Sequence, residues 1–348
     1  MNYKPGFGSM KILVTGATGF LGGWILKHLA SIYGKKDVAG TGRNMDKLAE
    51  LSAEGYNMTG GDLSDRDFIE REFSNCTCVI HCAALSSPWG TYGEFYRHNV
   101  LTTKYLLERI PDITRFVYIS SPTVYFNFTD RFMVNEYSEL PEKPVNAYAA
   151  TKRMAELEVL KHDSPNMIRT IIRPRAIIGA GDTVVVPRVI RAYKAGRLRV
   201  IGDGKNIGDF SSAKNIAHAV ALCLEAGKDI DRKIFNITDD EPREIWTLLK
   251  ATLEKMGLDP KLKKISYGTI HLMACLSEFI ARNITGKEPV LTKYGVGIMN
   301  FSLTLDIAEA KEYLGYKPIV STDQSIGEFI TWYHENMDLY PGTGPGEK

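Results

Sequence analysis

The chain has 348 residues, of which 44% are hydrophobic, and this is enough apolar material for a large core in one or two coupled domains. Its formal net charge of +2 excludes a strongly basic surface, so we expect no nucleic-acid partner. No run of about 18 apolar residues occurs, so no membrane-spanning helix is expected. Residues 1–9 are polar and glycine-rich and do not read as a secretory signal, and we expect 1–9 and 338–348 to be flexible ends.

The first predicted unit is a strand, a glycine-rich turn and a helix. An apolar segment leads into the loop Gly16-x-x-Gly19-x-x-Gly22, which opens an amphipathic helix. Glycines let the backbone turn tightly and approach a pyrophosphate, and a helix N-terminus attracts that anion. The unit therefore predicts a dinucleotide site, although three glycines also occur in ordinary turns.

The end of the second predicted strand, residues 37–42, carries information about the cofactor. In dinucleotide-binding folds this strand end lies beside the adenine ribose, where an acidic residue binds the 2′-hydroxyl. Here Arg43 follows the strand, and a guanidinium suits a 2′-phosphate. Arg43 thus favours NADP over NAD, with a solvated loop cation as the alternative interpretation.

Three of the five cysteines lie in or beside the fourth predicted strand, together with His81. Neighbouring strand residues point to opposite faces of a sheet, and the spacing C-x-x-C typical of zinc sites is absent from Cys76, Cys78 and Cys82. We therefore expect no metal site, reduced thiols and a cytoplasmic location.

A tyrosine and a lysine share one face of the helix predicted over 146–162, because Lys152 follows Tyr148 by four residues. A phenol ionises near pH 10, and a nearby ammonium favours the phenolate and lowers its pKa. Tyr148 is therefore a candidate acid/base. The strand predicted over 115–121 ends in hydroxyls, of which Ser121 is the candidate to hold a substrate oxygen, because ligands bind at such strand ends.

Taken together, these motifs resemble the extended short-chain dehydrogenase/reductases from Lys11 to about Tyr333. Further matching segments are Gly61-Asp62-Leu63, His81-Cys82-Ala83-Ala84, Asn99, Ser120-Ser121-Pro122-Thr123-Val124-Tyr125, Arg173-Pro174 and Gly202-Asp203-Gly204. The alternation of strands and helices up to about residue 173 independently predicts an α/β fold with a parallel, doubly wound sheet. The resemblance implies a Rossmann-type version of this sheet with a smaller C-terminal substrate-binding lobe.

The expected domain boundaries and site residues follow from this resemblance. Residues 10–174 would form the dinucleotide-binding domain, with returning segments near 205–238 and 304–315, and residues 175–204 and 239–303 the substrate-binding lobe. Tyr148 would be the acid/base, Lys152 its electrostatic partner and Ser121 the hydroxyl that orients the substrate oxygen. The implied cofactor-binding residues are Gly16, Thr18, Gly19, Phe20, Leu21, Gly22, Arg43, Asp62, Leu63, Ala83, Ala84, Tyr148, Lys152 and Pro174.

Departures from the nucleotide-sugar branches narrow the activity that the resemblance implies. Pro122 and Thr123 replace the Asp-Glu pair of dehydratases, and Gly208 stands where nucleotide-sugar enzymes carry an arginine that binds diphosphate. The chain looks more similar to the 3β-hydroxysteroid dehydrogenase group, with sterol-4-carboxylate 3-dehydrogenases and 2-alkyl-3-oxoalkanoate reductases. We therefore expect NADP-dependent interconversion of a secondary alcohol and a ketone on a steroid or on a β-hydroxy or β-keto acid. A nucleotide-sugar epimerase and a non-catalytic dinucleotide sensor are the alternatives.

The substrate pocket and the partners are expectations of the same kind. Arg175 could pair with a substrate carboxylate or form a structural salt bridge, and for the aromatic candidates core packing is the alternative. The candidate pocket residues are Ser86, Trp89, Thr123, Tyr125, Arg175 and Phe210. The apolar segment 269–281 predicts a helix over the pocket or the core that could touch a membrane surface. Related enzymes often dimerise through helices matching 91–109 and 146–162, so a homodimer is expected.

Overall fold

Strands and helices alternate along much of the chain in the computed structural model, which describes residues 11–87, 89–182 and 185–336. The predicted flexible ends, 1–9 and 338–348, lie outside these residues. The strands are β1 (Ile12–Thr15), β2 (Val38–Gly42), β3 (Asn57–Gly60), β4 (Cys78–His81), β5 (Arg115–Ile119), β6 (Arg131–Val134), β7 (Ile168–Pro174), β8 (Ile177–Ile178), β9 (Val200–Ile201), β10 (Ile207–Gly208), β11 (Ser211–Ser212), β12 (Lys233–Ile237), β13 (Arg243–Glu244), β14 (Lys264–Ile265) and β15 (Leu303–Leu305).

The helices follow the same chain order. The α-helices are α1 (Phe20–Tyr33), α2 (Met45–Ala53), α3 (Arg66–Phe73), α4 (Tyr92–Phe95), α5 (Thr102–Arg109), α6 (Ala147–Lys161), α7 (Val185–Lys194), α8 (Ala213–Glu225), α9 (Ile245–Lys255), α10 (Tyr267–Ile280), α11 (Lys293–Ile298), α12 (Ala308–Leu314) and α13 (Thr322–Glu335). Segments of π-helix cover Tyr96–Leu101 and Ala281–Thr285, and 3₁₀ turns cover Pro122–Tyr125 and Lys228–Ile230. The helix predicted over 91–109 is therefore α4, a π-helical segment and α5 in succession.

A seven-stranded parallel sheet carries the site. Its strand order is β3-β2-β1-β4-β5-β7-β12. The chain runs outward from β1 to β3 and then returns to the other side of β1, so the strand order reverses between β1 and β4. This arrangement confirms the predicted Rossmann-type sheet. In such sheets ligands bind at the carboxyl ends of the strands beside the reversal.

Both faces of this sheet are covered by helices, as the alternation of side chains along β1 illustrates. Ile12 and Val14 are buried in one hydrophobic layer with residues of α1 and α8. Leu13 points to the other face and is buried with residues of α3, α5 and α6. A parallel sheet buried on both faces leaves its carboxyl edge as the accessible place for a ligand.

The smaller sheets depart from the predicted boundaries in two places. A second sheet has the order β13-β10-β15-β6, and β8 pairs with β11 while β9 pairs with β14. β6 lies inside the range predicted for the dinucleotide domain, yet it pairs with β15. β10 also lies in this second sheet, whereas α8, the turn Lys228–Ile230 and β12 of the segment 205–238 pack in the large fold. The sequence of β6, Arg-Phe-Met-Val, does not alternate between polar and apolar residues, and only Val134 is buried. A period of two therefore does not mark this strand in the sequence.

The predicted apolar helix 269–281 is observed as α10 and has two different faces. Ile270 and Ala274 are buried and pack inward, and α10 lies against α11. The opposite face, continued by the π-helical segment, carries large apolar side chains in solvent. The exposed residues are Leu272, Met273, Leu276, Phe279, Ile280 and Ile284. Within the described ranges no helix is long and apolar enough to span a membrane.

Candidate active site

The glycine loop lies at the reversal of strand order and presses against the end of β4. Gly16 has a φ of +70°, and a Cβ there would lie 2.9 Å from the Cα and N atoms of Ala83. A Cβ at Gly22 would lie 2.1 Å from the carbonyl oxygen of Gly16. Side chains at these positions would therefore push the loop away from the sheet or from α1.

The start of α1 is free to receive an anion. The helix begins after Gly19 with no side-chain cap and no acidic residue in its first turn. Its first N–H groups and the positive end of its dipole are therefore not neutralised by the protein. This arrangement fits the pyrophosphate of a dinucleotide. The side chains of Phe20 and Leu21, also predicted here, are half-buried and buried respectively.

The residues predicted for the adenine end lie at the tips of β2 and β3. A Cβ at Gly42 would lie 2.0 Å from Oγ1 of Thr18, so the glycine makes room for this side chain. Arg43 is exposed and near enough to act electrostatically on Asp62, whose Oδ1 accepts the N–H of Ser64 at 2.9 Å. The side chain of Leu63 is instead buried in the core.

His81 holds the backbone that follows β4. Its ring nitrogens lie 2.8 Å from the Thr15 hydroxyl and 3.0 Å from the Thr103 hydroxyl, and the Thr15 hydroxyl accepts the N–H of Ala83 at 3.1 Å. Burial lowers the pKa of His81 to about 3, so the ring is neutral. Among the residues that the structure describes, no three His, Cys, Asp or Glu side chains form a metal-binding group.

Asn99, on the π-helical segment between α4 and α5, connects the loop after β4 to α6 by hydrogen bonds. Its Oδ1 accepts the N–H of Leu85 at 2.7 Å, and its Nδ2 donates to the Leu85 carbonyl at 3.3 Å and to the Thr151 hydroxyl at 3.2 Å. Insertion of a π turn re-aims side chains and is frequent at functional sites. The loop that carries Ser86 is thereby fixed beside the helix that carries Tyr148.

The hydroxyl of Tyr148 lies near two serine hydroxyls, those of Ser86 and Ser121. Burial raises the pKa of Tyr148, and hydrogen bonds with Ser86 and Ser121 offset part of this rise. The predicted lowering of this pKa by Lys152 is wrong for the structure, in which burial has the largest effect and raises the pKa. Nζ of Lys152 donates to the Ile119 carbonyl at 2.6 Å, and burial lowers the pKa of Lys152 to about 8.

A chain of hydroxyls extends from this point toward the second half of the sequence. Oγ of Ser121 lies 2.9 Å from Oγ1 of Thr123, which lies 3.0 Å from the phenolic oxygen of Tyr294 on α11. We call Tyr148, Ser121, Thr123 and Tyr294 the hydroxyl chain. Sequence reasoning missed Tyr294, because its partner Thr123 is 171 positions away and no local motif marks it.

Arg175 follows β7 and lies over Gly208. A Cβ at Gly208 would lie 3.2 Å from Nη2 of Arg175. The Arg175 side chain is half-buried, and its Nε is buried without an acceptor. Asp209 is nearby; its Oδ2 accepts the Leu305 N–H at 2.6 Å, and burial raises its pKa to about 6.

The remaining candidate residues for the pocket and the cofactor differ in how deeply they are buried. Trp89 is half-buried with the Arg282 guanidinium 5.9 Å from its ring centroid, and Phe210 is half-buried. Tyr125, a predicted pocket residue, is fully buried, and its hydroxyl donates to Asn236 at 3.0 Å. Its phenol completes a polar core network, so the structure places Tyr125 behind the site rather than on a pocket wall. Ala84 is half-buried after β4, and Pro174 is buried at the end of β7.

The sequence is similar to those of several known proteins over most of its length. The sequence pattern of the NAD dependent epimerase/dehydratase family matches residues 12–238, which include the glycine loop and Tyr148 but not Tyr294. The decarboxylating sterol-4-alpha-carboxylate 3-dehydrogenase of Candida albicans is 31% identical over 94% of this chain and 98% of that protein. The 2-alkyl-3-oxoalkanoate reductase of Stenotrophomonas maltophilia is 31% identical over 91% of this chain and 97% of that protein.

One solved structure has a fold similar to that of this chain. The dTDP-glucose 4,6-dehydratase DesIV of Streptomyces venezuelae, with NAD bound, has a TM-score of 0.75 and covers 96% of this chain and 100% of its own. The two sequences are 23% identical, so this likeness shows the shared fold alone.

Two neighbouring glycines of α1 provide a matched test of the glycine loop. Gly22→Ala puts a methyl group against the Gly16 carbonyl, whereas a Cβ at Gly23 would lie at an ordinary 3.4 Å from the Ala17 carbonyl. We expect Gly22→Ala to weaken binding of NADPH and NADH about tenfold or more, because overpacking displaces the loop. Fluorescence titration measures this, and Gly23→Ala should bind as the wild type does. Equal affinities for the two variants would contradict a close-packed loop.

Proposed function

The chain belongs to the NAD dependent epimerase/dehydratase family, the extended short-chain dehydrogenase/reductases, and is an oxidoreductase that uses a nicotinamide dinucleotide. We propose that it interconverts a secondary alcohol and a ketone on a bulky hydrophobic substrate, a 3β-hydroxysteroid or 3-ketosteroid, or a β-hydroxy or β-keto acid. The observation that carries this proposal is the proximity of the Tyr148 hydroxyl to the hydroxyls of Ser86 and Ser121 at the carboxyl edge of the sheet.

In the proposed reaction Tyr148 and Ser121 act on the substrate oxygen, and Lys152 positions the helix that carries Tyr148. Tyr148 gives its proton to the carbonyl oxygen during reduction and takes it back from the alcohol during oxidation, while Ser121 donates a hydrogen bond to the same oxygen. When bound, the nicotinamide ring supplies or accepts the hydride. Lys152 positions α6 through its bond to the Ile119 carbonyl. Because burial has the largest effect on its pKa and disfavours the phenolate, Tyr148 is a proton donor in its resting state.

The alcohol–ketone reaction on a hydrophobic substrate is supported by the relatives and by the residues that follow β5. Relatives at 31% identity are named for a sterol carboxylate and for an alkyl oxoalkanoate. Pro122 and Thr123 provide no acid/base pair for elimination from a sugar. A nucleotide-sugar epimerase is the second candidate, because the Arg175 guanidinium lies beside Gly208, where related nucleotide-sugar enzymes would carry their own arginine.

Replacing Tyr148 tests the proposed reaction. Tyr148→Phe keeps the ring but removes the hydroxyl, so kcat should fall about 100-fold or more while dinucleotide affinity is retained. Initial rates are measured on 3β-hydroxysteroids, 3-ketosteroids, 2-alkyl-3-hydroxy acids and a UDP-sugar, with both cofactors. Tyr137→Phe, on an exposed tyrosine, is the control. Turnover of the sugar alone would favour the epimerase, and an unimpaired Tyr148→Phe would refute the acid/base role.

We propose NADP as the preferred cofactor because Arg43 is exposed beside Asp62 at the tips of β2 and β3. A guanidinium there forms a charge-assisted, two-pronged pair with a 2′-phosphate, whereas a 2′-hydroxyl offers it one neutral acceptor. Arg43→Asp should therefore raise the Kd of NADPH about tenfold or more relative to that of NADH. Lys36→Asp, just before β2 at the opposite end of the strand, is the control. An unchanged NADPH to NADH ratio would show that Arg43 is a solvated cation.

We also propose that the exposed face of α10 touches an anionic lipid surface. Leu276, Phe279 and Ile284 are 58%, 61% and 72% exposed and follow one another at helical spacing. The segment 261–293 is basic, and both of its acids are paired, Glu278 with Lys293 and Glu288 with Arg188. Its basic residues are Lys261, Lys263, Lys264, Arg282, Lys287 and Lys293. Apolar area with surrounding cations is typical of interfacial helices.

Vesicle sedimentation tests this surface. The wild type should sediment with phosphatidylcholine vesicles that contain phosphatidylglycerol, and Leu276→Glu with Phe279→Glu should abolish this, because two charges enter the apolar face. Ile319→Glu, at an exposed position elsewhere on the chain, is the control. A wild type that stays in the supernatant would contradict the proposal. A homodimer and a cytoplasmic location are further proposals, which sedimentation velocity and cell fractionation can check.

A further inference from the structure

Tyr294 reaches the hydroxyl chain from the second half of the sequence and is held there by packing. Its ring lies 5.7 Å from the ring of Phe126, at an angle of 89°. α11, which carries Tyr294, is attached to α10, because the N–H of Lys293 donates to Oε1 of Glu278 at 2.7 Å. The phenolic oxygen therefore has a fixed place, 3.0 Å from Oγ1 of Thr123.

The surroundings of Tyr294 decide the direction in which its hydroxyl donates. Among the described residues, Thr123 is its hydrogen-bond partner. Burial raises the pKa of Tyr294, and the hydrogen bond with Thr123 and the nearby guanidinium of Arg175 offset part of this rise. A guanidinium has donors and no acceptor, so the proton of Tyr294 cannot be given to Arg175. The Tyr294 hydroxyl therefore donates to Thr123.

This direction is passed along the chain, because each hydroxyl has one proton. Thr123 accepts from Tyr294, so its own proton is available for Oγ of Ser121, which lies 2.9 Å away. The backbone N–H of Thr123 also donates to this Oγ, at 3.3 Å. Ser121 then accepts two hydrogen bonds within the protein and keeps its proton for a group in the site. A carbonyl oxygen of a substrate needs this orientation, since it only accepts.

We propose that Tyr294 is a positioning residue that orients the hydroxyl chain, so that Ser121 donates to the substrate oxygen. This inference rests on the proposed alcohol–ketone reaction and adds a residue to it. Hydrogen bonds in a chain polarise one another, so the phenol strengthens the bond from Ser121 when negative charge develops on the substrate oxygen. The proton that is transferred remains that of Tyr148.

Removing the hydroxyl of Tyr294 while keeping its ring tests this role. Tyr294→Phe should lower kcat about five- to tenfold and leave KM near its wild-type value, because the bond from Ser121 matters most in the transition state. Initial rates of reduction are measured with NADPH on a 3-ketosteroid and on a 2-alkyl-3-oxoalkanoate. Tyr267→Phe is the matched control, because this phenol on α10 bonds to His271 at 3.2 Å instead, and its kcat should equal that of the wild type.

A double-mutant cycle separates a role through the hydroxyl chain from a role in packing. Thr123→Val interrupts the chain between Tyr294 and Ser121, so Tyr294→Phe should lower kcat no further in that background. Thr123→Val alone should lower kcat at least as much as Tyr294→Phe, which tests the chain even where one variant is unstable. Additive losses, or a wild-type kcat for Tyr294→Phe, would overturn the inference and leave the proposed reaction intact. A wild type that reduces neither substrate would overturn the proposed function and this inference with it.

Discussion

The site depends on one buried ammonium. Lys152 crosses from α6 to the tip of β5 and donates to the Ile119 carbonyl at 2.6 Å, with the Tyr118 ring centroid 4.4 Å from Nζ. An unpaired backbone carbonyl and an unpaired ammonium would each be costly at this depth, and together they satisfy one another. Because Tyr148 lies one helical turn before Lys152, this bond sets the phenol beside the hydroxyl of Ser121.

A second buried network supports the site from behind. Glu156, one turn after Lys152, accepts hydrogen bonds from Ser120 and from Arg173, and Arg173 also reaches Tyr125. Ser120 directly precedes Ser121, and Arg173 lies two residues before Arg175. The backbone that carries Ser121 and Arg175 is therefore fixed by hydrogen bonds between charged groups. These groups have little access to water, and charged hydrogen bonds are strong in such surroundings. Tyr125 therefore belongs to this buried network and does not line the pocket.

The large sheet was predictable because its signals are local. Continuous apolar runs, the glycine loop and the four-residue spacing of Tyr148 and Lys152 each lie within a short stretch of sequence. The second sheet was not predictable, because strands of two to four residues, such as β6 and β10, have too few side chains to show a period of two. Tyr294 lies 171 positions from its partner Thr123, so no local pattern marks it. The raised pKa of Tyr148 also escaped prediction, because its largest cause is burial, which the four-residue spacing of Tyr148 and Lys152 does not reveal.

Isotope transfer tests the central claim most directly, namely that Tyr148 and its serine partners hold a carbonyl that receives hydride from the dinucleotide. The wild-type protein is incubated with NADPH deuterated at both C4 positions and a 3-oxo substrate, and the product is examined by mass spectrometry. The account predicts one deuterium on the carbon that bears the new hydroxyl. A product without deuterium at that carbon, or a substrate left unreduced, would contradict it.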